Sequence, residues 1–337
     1  MEKKGLNVAV LGLGRMGLLH AAAYAKMPLV NLKAICDVDE ARLAKCCKEF
    51  GAEGYSDFNK LLEDDSIDAV NICLPDNMHL APVKKALDMG KHILCEKPLA
   101  NTLAETKEIR DYEKGNDKVF MVGYTLRFSL RHLMVKDYYD KGEFGEVIMV
   151  HNRRSSPIIG PRHYAGYSDL ADHVMIHDIA YFNWLFGTKP SKLFAKGRSV
   201  MLKDSNMTDV IYAILEYPNG AMVCLESCWV LPELTPQALD DTMELIGTKG
   251  SVYMSCGDLS STFVMGDRQA LPKPVYSGIP FDTDHVSDIY FDEITFFVNC
   301  ILNGQSPGMS CDDAVADIEV VEAIMQSIAE GREIELK

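Results

Sequence analysis

Short apolar runs alternate with helical stretches along the first 122 residues of the chain. The run Leu6–Gly12 ends in glycine and is typical of a strand that is buried on both faces. The predicted strands are 6–12, 32–37, 69–73, 92–95 and 119–122, and the predicted helices are 15–26, 39–50, 58–63, 80–89 and 103–114. Strands that are separated by helices in this way predict a parallel sheet with right-handed crossovers.

The pattern changes after residue 122, where apolar and polar positions alternate along several short segments. The predicted strands are 146–152, 191–198, 210–217, 222–229, 241–247 and 251–255, and the predicted helices are 130–141, 172–186 and a C-terminal helix that Gly331 ends. Glycine-containing turns at 218–220 and 248–250 indicate antiparallel hairpins. The sequence therefore predicts two domains, 1–122 and 123–337, with the C-terminal helix able to pack back on the first.

Composition narrows the classes of partner. A chain of 337 residues is long enough for two cores, and its net charge of −15 gives no general field for phosphate, so neither nucleic acid nor an anionic membrane is expected. No stretch approaches the roughly 20 apolar residues that span a bilayer, and Met1–Gly5 leads into a strand without the cleavage site of a signal peptide. Ten cysteines without a Cys-x-x-Cys spacing indicate reduced thiols, and hence a cytoplasmic protein.

A glycine-rich turn follows the first strand directly. It has the G-x-G-x-x-G pattern and consists of Gly12, Leu13, Gly14, Arg15, Met16 and Gly17. Such a turn opens a helix whose free N–H groups bind a pyrophosphate, and Asp37, 20 residues after the last glycine, accepts hydrogen bonds from a ribose. Because a carboxylate repels a 2′-phosphate, we expect NAD rather than NADP. The alternative is a domain without a nucleotide, in which Asp37 caps the next helix.

Three further polar segments follow predicted strands or open a helix. Leu74-Pro75 and His79 follow the third strand, and Glu96-Lys97-Pro98 follows the fourth. His173 and His177-Asp178 open the predicted helix 172–186 of the second domain. Ligands of doubly wound sheets bind outside the carboxyl ends of the strands. These segments are therefore the candidate site.

With these motifs the chain resembles the glucose–fructose oxidoreductase, inositol dehydrogenase and MocA family. The matching residues are Gly12–Gly17, Asp37, Pro75, His79, Gly90–Ala100, Gly142–Glu146, His177–Ile179 and Asn303–Pro307. The resemblance implies an α/β protein: an N-terminal Rossmann domain with a doubly wound parallel sheet, then an α/β domain with an open, largely antiparallel sheet. It also implies a nicotinamide cofactor and a homodimer or homotetramer that forms through the open sheet.

By the same resemblance Lys97 is the catalytic lysine and His177 the acid–base residue. Oxidation of a carbinol needs a base near neutral pKa, which imidazole supplies, and an ammonium group stabilises the developing alkoxide. The family likeness also places Leu74, Pro75, His79, Glu96 and Lys97 beside the cofactor. The structural alternatives are a surface lysine and a helix-capping or core histidine.

One position departs from the family pattern. Members commonly carry aspartate four residues before the catalytic histidine, but here that residue is His173, and Asp172 beside it lies about 100° away on an α-helix. We expect His173 to bind a substrate hydroxyl. The alternative is a metal site formed by His173 and His177 with His163 or His285; two histidines are too few ligands, so no metal is predicted.

The remaining substrate candidates are weaker. Tyr124 and Arg127 follow the last strand of the first domain, and His163 and Tyr164 lie on a segment rich in proline and glycine. Each of them can equally be a surface or structural residue. The pair Arg153-Arg154 suits a phosphate or carboxylate on the substrate, without deciding between them.

The sequence thus predicts an enzyme that transfers hydride between NAD and a carbinol carbon of a sugar, an inositol-like cyclic polyol or a sugar derivative. An NAD-using glycosidase that oxidises its substrate transiently would need the same residues. A sensor without catalysis on the same fold is the third possibility, since a fold does not dictate a function.

Overall fold

The computed structural model describes residues 5–158, 160–233, 235, 239–255, 260–265, 268–270 and 288–337. No helix in this part of the chain is long and apolar enough to cross a membrane. The described residues divide into two compact units. The first contains the chain up to Phe128 and a later segment that ends at Val315; the second begins at Ser129 and includes the C-terminal residues from Ala316.

The first unit contains a sheet of six parallel strands. The strands are β1 (Leu6–Leu11), β2 (Val30–Cys36), β3 (Glu53–Tyr55), β4 (Ala69–Ile72), β5 (His92–Glu96) and β6 (Phe120–Gly123). Their order in the sheet is β3-β2-β1-β4-β5-β6. The direction of winding reverses between β1 and β4, and a doubly wound sheet binds its ligand at this point.

Five helices connect these strands. They are α1 (Arg15–Ala25), α2 (Glu40–Phe50), α3 (Phe58–Leu62), α4 (Leu80–Asp88) and α5 (Leu103–Glu113). Asp39, Asp57 and Thr102 begin α2, α3 and α5 by accepting a hydrogen bond from a backbone N–H in the first turn. The helix α1 lacks such a side-chain cap, so its first N–H groups are left for another acceptor.

The second unit contains a sheet of nine described strands. The strands are β7 (Val147–Pro157), β8 (Lys192–Arg198), β9 (Val210–Glu216), β10 (Met222–Leu231), β11 (Asp240–Gly247), β12 (Gly250–Ser255), β13 (Ser260–Met265), β14 (Arg268–Ala270) and β15 (Ile334–Glu335). Their order is β14-β13-β12-β11-β7-β10-β9-β8-β15. Among the described pairings, β7 with β10 is parallel and the others are antiparallel.

The two faces of this sheet differ in polarity and burial. One face buries residues such as Val150, Leu215 and Leu225 in the core. On the other face the register aligns Ile214 with Cys224, and large apolar side chains remain exposed there. The alternation along each strand produces this division because successive side chains point to opposite faces.

Four helices complete the described structure. They are α6 (Leu130–Asp140), α7 (Ile176–Phe186), α8 (Asp288–Asn303) and α9 (Cys311–Glu330). A π-helical turn, Ala171–Met175, leads directly into α7. The helix α8 belongs to the first unit, where it packs against α1.

The predicted fold class, a Rossmann sheet followed by a largely antiparallel sheet, is confirmed. Both predicted hairpins are present, β9 with β10 and β11 with β12. The sequence analysis missed β3, β13 to β15, the π-helical turn and α8. The helix α8 left a readable signal, since Ile294, Phe297, Val298 and Ile301 recur with the spacing of one helix face.

Candidate active site

The glycine turn after β1 is closely packed at its two ends and open in its middle. Gly12 has φ +86°, and a Cβ there would meet Cys73 O at 2.5 Å. A Cβ on Gly17 would lie 1.8 Å from Gly12 O, so α1 is held against the turn. Gly14 has nothing within 4 Å of the corresponding position. The backbone is therefore open where a pyrophosphate must approach.

Asp37, at the end of β2, is oriented by three donors. Its carboxylate accepts hydrogen bonds from Leu13 N at 2.8 Å, Asp39 N at 2.8 Å and Arg42 Nη1 at 3.0 Å. The first of these bonds ties the carboxylate to the glycine turn. Asp37 is nearly buried, whereas the side chain of Arg42 is 44% exposed.

These features together fit a dinucleotide. The uncapped start of α1 presents N–H groups and a positive dipole end for phosphate, and the oriented carboxylate suits a ribose. Arg15 is exposed and Met16 partly exposed at the same helix start, so both predicted contacts are accessible.

His79 lies between the loops that follow β4 and β5. It is fully buried, and its Nδ1 and Nε2 lie 3.0 Å from Pro98 O and Leu74 O respectively. The ring thus links the loop after β4 to the loop after β5. The buried ring is thereby held between the loops that carry Pro75 and Lys97, and its predicted place beside the cofactor stays a prediction.

Lys97 follows β5 directly and is partly exposed, and its peptide bond to Pro98 is cis. The preceding Glu96 is buried, with Oε1 3.1 Å from His20 Nε2. Burial alone would raise the pKa of Glu96, but the hydrogen bond and charge of His20 and the charge of Lys97 outweigh it, and the net pKa is lowered. The residue directly before the candidate lysine is therefore a buried carboxylate.

Arg127, which follows β6, is held by residues from a distant part of the first unit. Its guanidinium donates to Gly308 O at 3.0 Å and pairs with Asp313 at 3.3 Å, and its side chain is only 9% exposed. It also lies over the ring of Tyr124, which is buried. These contacts connect the end of β6 to the first turn of α9 and the residues just before it, within the first unit. Both side chains are thus held by neighbouring residues of the first unit, and their predicted contact with substrate stays a prediction.

In the second unit His177 lies in the first turn of α7 and is partly exposed. The next residue, Asp178, is buried and accepts three hydrogen bonds of 2.8 to 3.0 Å from Arg154. Arg154 also lies 3.5 Å from Asp241, and Arg153 pairs with Asp240 at 2.8 Å. Because Arg154 is buried and engaged, the interpretation that it recognises a substrate phosphate or carboxylate is wrong.

The backbone before His177 changes the spacing argument made from the sequence. The turn Ala171–Met175 is π-helical, and the N–H of Ile176 donates to Ala171 O, five residues earlier. Because such a turn bonds each residue to the one five positions earlier, residues five apart lie closer to one face than they do in an α-helix. Asp172 precedes His177 by five residues, so it lies nearer to the face of His177 than an α-helix would place it, and the predicted role of His173 stays a prediction.

The ring of His173 lies in an aromatic cluster. Its centroid is 3.8 Å from that of Tyr164 and 6.3 Å from that of Trp229. Tyr164 and Trp229 are nearly parallel, at 6°. His163 is exposed on the neighbouring short turn, with Nδ1 3.2 Å from Gly160 O. The sequence analysis missed Trp229 because only the fold brings β10 to this segment.

Among the described residues, His20, Cys73 and Glu96 bring three potential metal-ligating atoms within 4.8 Å of one another. His173 and His177 are not in that group, and His285 lies outside the described residues. His20 was not predicted to matter, although a histidine three residues after Gly17 on a helix that packs against a sheet is an unusual choice.

Comparison with known families explains the arrangement. Residues 6–124 match the profile of the oxidoreductase family with an NAD-binding Rossmann fold, and residues 139–336 match the C-terminal α/β domain of the same family. The chain belongs to this family. It is the one named for glucose–fructose oxidoreductase, inositol dehydrogenase and MocA, as the motifs predicted.

Relatives of the family match over nearly the whole chain. The myo-inositol 2-dehydrogenase of Thermotoga maritima is 26% identical over 98% of this chain and 99% of its own. The NAD-dependent scyllo-inositol 2-dehydrogenase of Bacillus subtilis is 27% identical over 98% and 96%. A scyllo-inositol dehydrogenase structure from Lactobacillus casei superimposes with a TM-score of 0.85 at 23% identity, covering 98% and 99% of the two chains.

These matches confirm the predicted family, the cofactor NAD and the class of enzyme, an oxidoreductase that acts on a CH–OH group. Lys97 of this family member belongs to the first unit and His177 to the second. The roles of individual residues stay predictions.

Proposed function

We propose that the chain oxidises a ring CH–OH of a cyclic polyol of the inositol type, with NAD as acceptor. The observation that carries the proposal is the position of Lys97. It follows β5, which lies beside β4, and β4 lies beside β1 and its open glycine turn. An ammonium group thus stands at the sheet edge that bears the dinucleotide motif.

The chemistry divides between two side chains. His177 takes the hydroxyl proton as base, because imidazole changes charge near working pH. The ammonium of Lys97 donates a hydrogen bond to the developing alkoxide and stabilises its charge. NAD, when bound, supplies the hydride acceptor. In the reverse direction His177 returns the proton to the carbonyl oxygen.

Asp172 completes this set in our proposal. The π-helical turn supports it, because the turn brings the residue five before His177 toward its face. A carboxylate there accepts a hydrogen bond from a substrate hydroxyl or orients the imidazole. His173 then serves a different purpose: together with the partly exposed Tyr164 it offers an aromatic surface to the C–H groups of a ring, and the buried Trp229 supports both rings from below.

The test is a substrate screen on the full chain. NADH formation is followed by absorbance with myo-inositol, scyllo-inositol, aldoses and uronates. We expect turnover with at least one cyclic polyol, and loss of turnover with retained NAD binding in Lys97→Ala and His177→Ala. The partly exposed Lys85, which pairs with Glu63 on the surface, provides the matched lysine control as Lys85→Ala. Unchanged rates in both site variants would refute the mechanism.

The same screen separates the alternatives. The relatives named above are dehydrogenases, which does not favour the glycosidase. Cleavage of a glycoside without net NADH would establish it nevertheless. NAD binding without turnover on any polyol, aldose or uronate would point to the sensor.

We further propose a homo-oligomer that forms through the open sheet of the second unit. Tyr212, Ile214, Met222 and Tyr253 share its outer face and are each 44 to 50% exposed. An exposed apolar patch of this kind marks an interface. Light scattering should show a monomer for Ile214→Glu and an oligomer for the native chain. A cytoplasmic location is proposed as well, because the nine described cysteines are all free thiols.

A further inference from the structure

Three side chains of the kinds that bind metal ions meet beside the nucleotide turn of the first unit. His20 lies on α1, Cys73 follows β4 directly, and Glu96 is the last residue of β5. One ligand atom of each lies within 4.8 Å of the other two. His20 Nε2 is 3.1 Å from Glu96 Oε1, and Cys73 Sγ is 3.6 Å from His20 Nδ1. Imidazole, thiolate and carboxylate are the donors that Zn²⁺ takes in proteins.

Hydrogen bonding does not account for the two closest atoms of this group. His20 Nε2 and Glu96 Oε1 are both buried, and neither has a hydrogen-bond partner of normal geometry among the described residues. Buried polar atoms without such a partner are rare. Two neighbouring ligands of one ion, by contrast, lie roughly 2.9 to 3.5 Å apart when the metal bonds are about 2.0 to 2.3 Å long. The observed 3.1 Å therefore suits an ion beside the line between the two atoms, whereas a hydrogen must lie close to that line.

The second ring nitrogen of His20 has the neighbours that a ligating histidine needs. The Asn71 amide lies 2.7 Å from Nδ1 with its nitrogen towards the ring, and Tyr24 Oη lies 2.7 Å from the amide oxygen. All three side chains are completely buried. A ligating histidine donates its other N–H to an oxygen. A half-turn of the Asn71 amide supplies that oxygen and lets the amide nitrogen donate to Tyr24, so that Nε2 keeps its lone pair for an ion.

Cys73 gives an ion access to the group. It is partly exposed, whereas His20 and Glu96 are buried. A Cβ on Gly17 would lie 3.5 Å from Cys73 Cβ, so the thiol stands at the nucleotide turn, where the winding of the sheet reverses. An ion can therefore reach the group from the side on which a dinucleotide binds.

We propose that His20 Nε2, Cys73 Sγ and Glu96 Oε1 bind one Zn²⁺ ion, with a water molecule as the fourth ligand. The three ligands come from α1, from the residue after β4 and from β5. The ion thus ties the helix that begins at the nucleotide turn to two strands of the sheet. Hydride transfer does not require it, so its binding is tested separately from the proposed function.

A thiol that donates to the imidazole is the competing explanation for the contact between Cys73 and His20. Nδ1 is already 2.7 Å from the Asn71 amide, and a thiol is only a weak donor. This explanation also leaves His20 Nε2 and Glu96 Oε1 without partners. A single ion between them satisfies both atoms and the thiolate together.

The experiment uses Co²⁺ as the probe, because Co²⁺ occupies zinc sites and gives an absorption band when a thiolate binds it. The full chain is freed of metal with a chelator and then titrated. We expect a band that saturates at one equivalent of Co²⁺ and that Zn²⁺ abolishes by displacement. The variants Cys73→Ala, His20→Leu and Glu96→Gln should weaken binding at least about a hundredfold. Asn71→Leu should weaken it about tenfold, since loss of a ligand's outer hydrogen-bond partner costs about 10- to 100-fold.

Two residues outside the group provide matched controls, Cys47, which is partly exposed like Cys73, and the exposed His163. Cys47→Ala and His163→Gln should bind Co²⁺ like the native chain. Should the site variants fail to fold, as judged by thermal melting, alkylation of the native chain decides: Zn²⁺ should slow the labelling of Cys73 but not of Cys47. A native chain without the saturable band, a band that survives in Cys73→Ala, or labelling of Cys73 that Zn²⁺ leaves unchanged would overturn the proposal.

Discussion

Arg154 and Asp178 form the tightest buried ion pair of the second unit's described residues, with three hydrogen bonds between β7 and α7. Both side chains are about 95% buried or more. Asp178 is the neighbour of His177 in the first turn of α7, so the pair fixes the backbone from which the imidazole projects. A similar arrangement occurs in the first unit, where the buried Glu96, the neighbour of Lys97, lies 3.1 Å from His20.

The first prediction concerns this pair. Arg154→Met should lower the free energy of unfolding by about 3 to 5 kcal/mol, because Asp178 is left as a buried, uncompensated charge. Thermal or denaturant unfolding measures the loss. The neighbouring Arg153, 38% exposed and paired with Asp240, is the control: Arg153→Met should cost about 1 kcal/mol or less. Equal losses in the two variants would contradict the structural role of Arg154.

The second prediction separates two glycines of the nucleotide turn. Gly17→Ala places a methyl group 1.8 Å from Gly12 O and should destabilise the first unit. Gly14→Ala meets nothing within 4 Å, so the variant should melt like the native chain. Its methyl group occupies the space of the pyrophosphate, however, and NAD should bind at least about tenfold more weakly. Thermal melting measures the stability of both variants, and calorimetric titration measures their affinity for NAD. Native affinity in Gly14→Ala would exclude this binding mode.

The third prediction tests cofactor choice. Asp37→Asn keeps an acceptor for Leu13 N but removes the charge that repels a 2′-phosphate. The ratio of the NADP to the NAD dissociation constant should fall about tenfold, because Arg42, which lies 3.0 Å from the same site, then loses one of its two carboxylate partners and can face a 2′-phosphate. Asp39→Asn makes the same charge change two residues away on an exposed side chain. It should leave the ratio unchanged, and equal effects would remove Asp37 from the site.

The fourth prediction concerns acid stability. Burial lowers the pKa of His132 to about 3, whereas the unfolded chain titrates near the ordinary value of 6.5. Between these values the unfolded state binds more protons, so stability is lost as pH falls, by about 1.4 kcal/mol for each unit below 6.5. His132→Phe should abolish this contribution. The native chain should therefore lose about 2 kcal/mol of unfolding free energy between pH 7.5 and pH 5 that the variant does not lose, so the stability difference between the two narrows by that amount.

Melting temperatures at the two pH values measure that gap. His132 packs edge-on against Tyr181 with centroids 4.7 Å apart, so phenylalanine keeps the ring contact. The exposed His163 is the control, since His163→Phe should show no such dependence. A gap that stays constant with pH would mean that His132 is not a buried neutral imidazole.

Several site residues could not be assigned correctly from the sequence, because their partners come from distant segments. Arg127 looked available after β6, but its guanidinium binds Gly308 O, 181 residues away. Arg154 looked like an anion binder until β7 placed it against Asp178. A strand or helix pattern predicts which face a side chain takes, but not which element covers that face.

The spacing argument around His177 assumed an α-helix, and the local backbone differs from one. The pattern of apolar residues predicts a helix, and an α-helix was the natural assumption. A π-helical turn differs by one residue per turn and leaves no comparable periodic signal over five residues. It brings Asp172 nearer to the face of His177 than an α-helix would.

The sequence by itself determined the Rossmann sheet, the nucleotide turn with Asp37, the antiparallel second sheet and the family, because these depend on local periodicity and on glycines that no other residue can replace. Tertiary structure alone decided which polar side chains are open to a ligand and which are consumed as supports. The physical reason is that burial and hydrogen-bond partners arise from packing between elements far apart in the chain. His20 belongs to no sequence motif, and only the fold brings it within 3.1 Å of Glu96, 76 positions later.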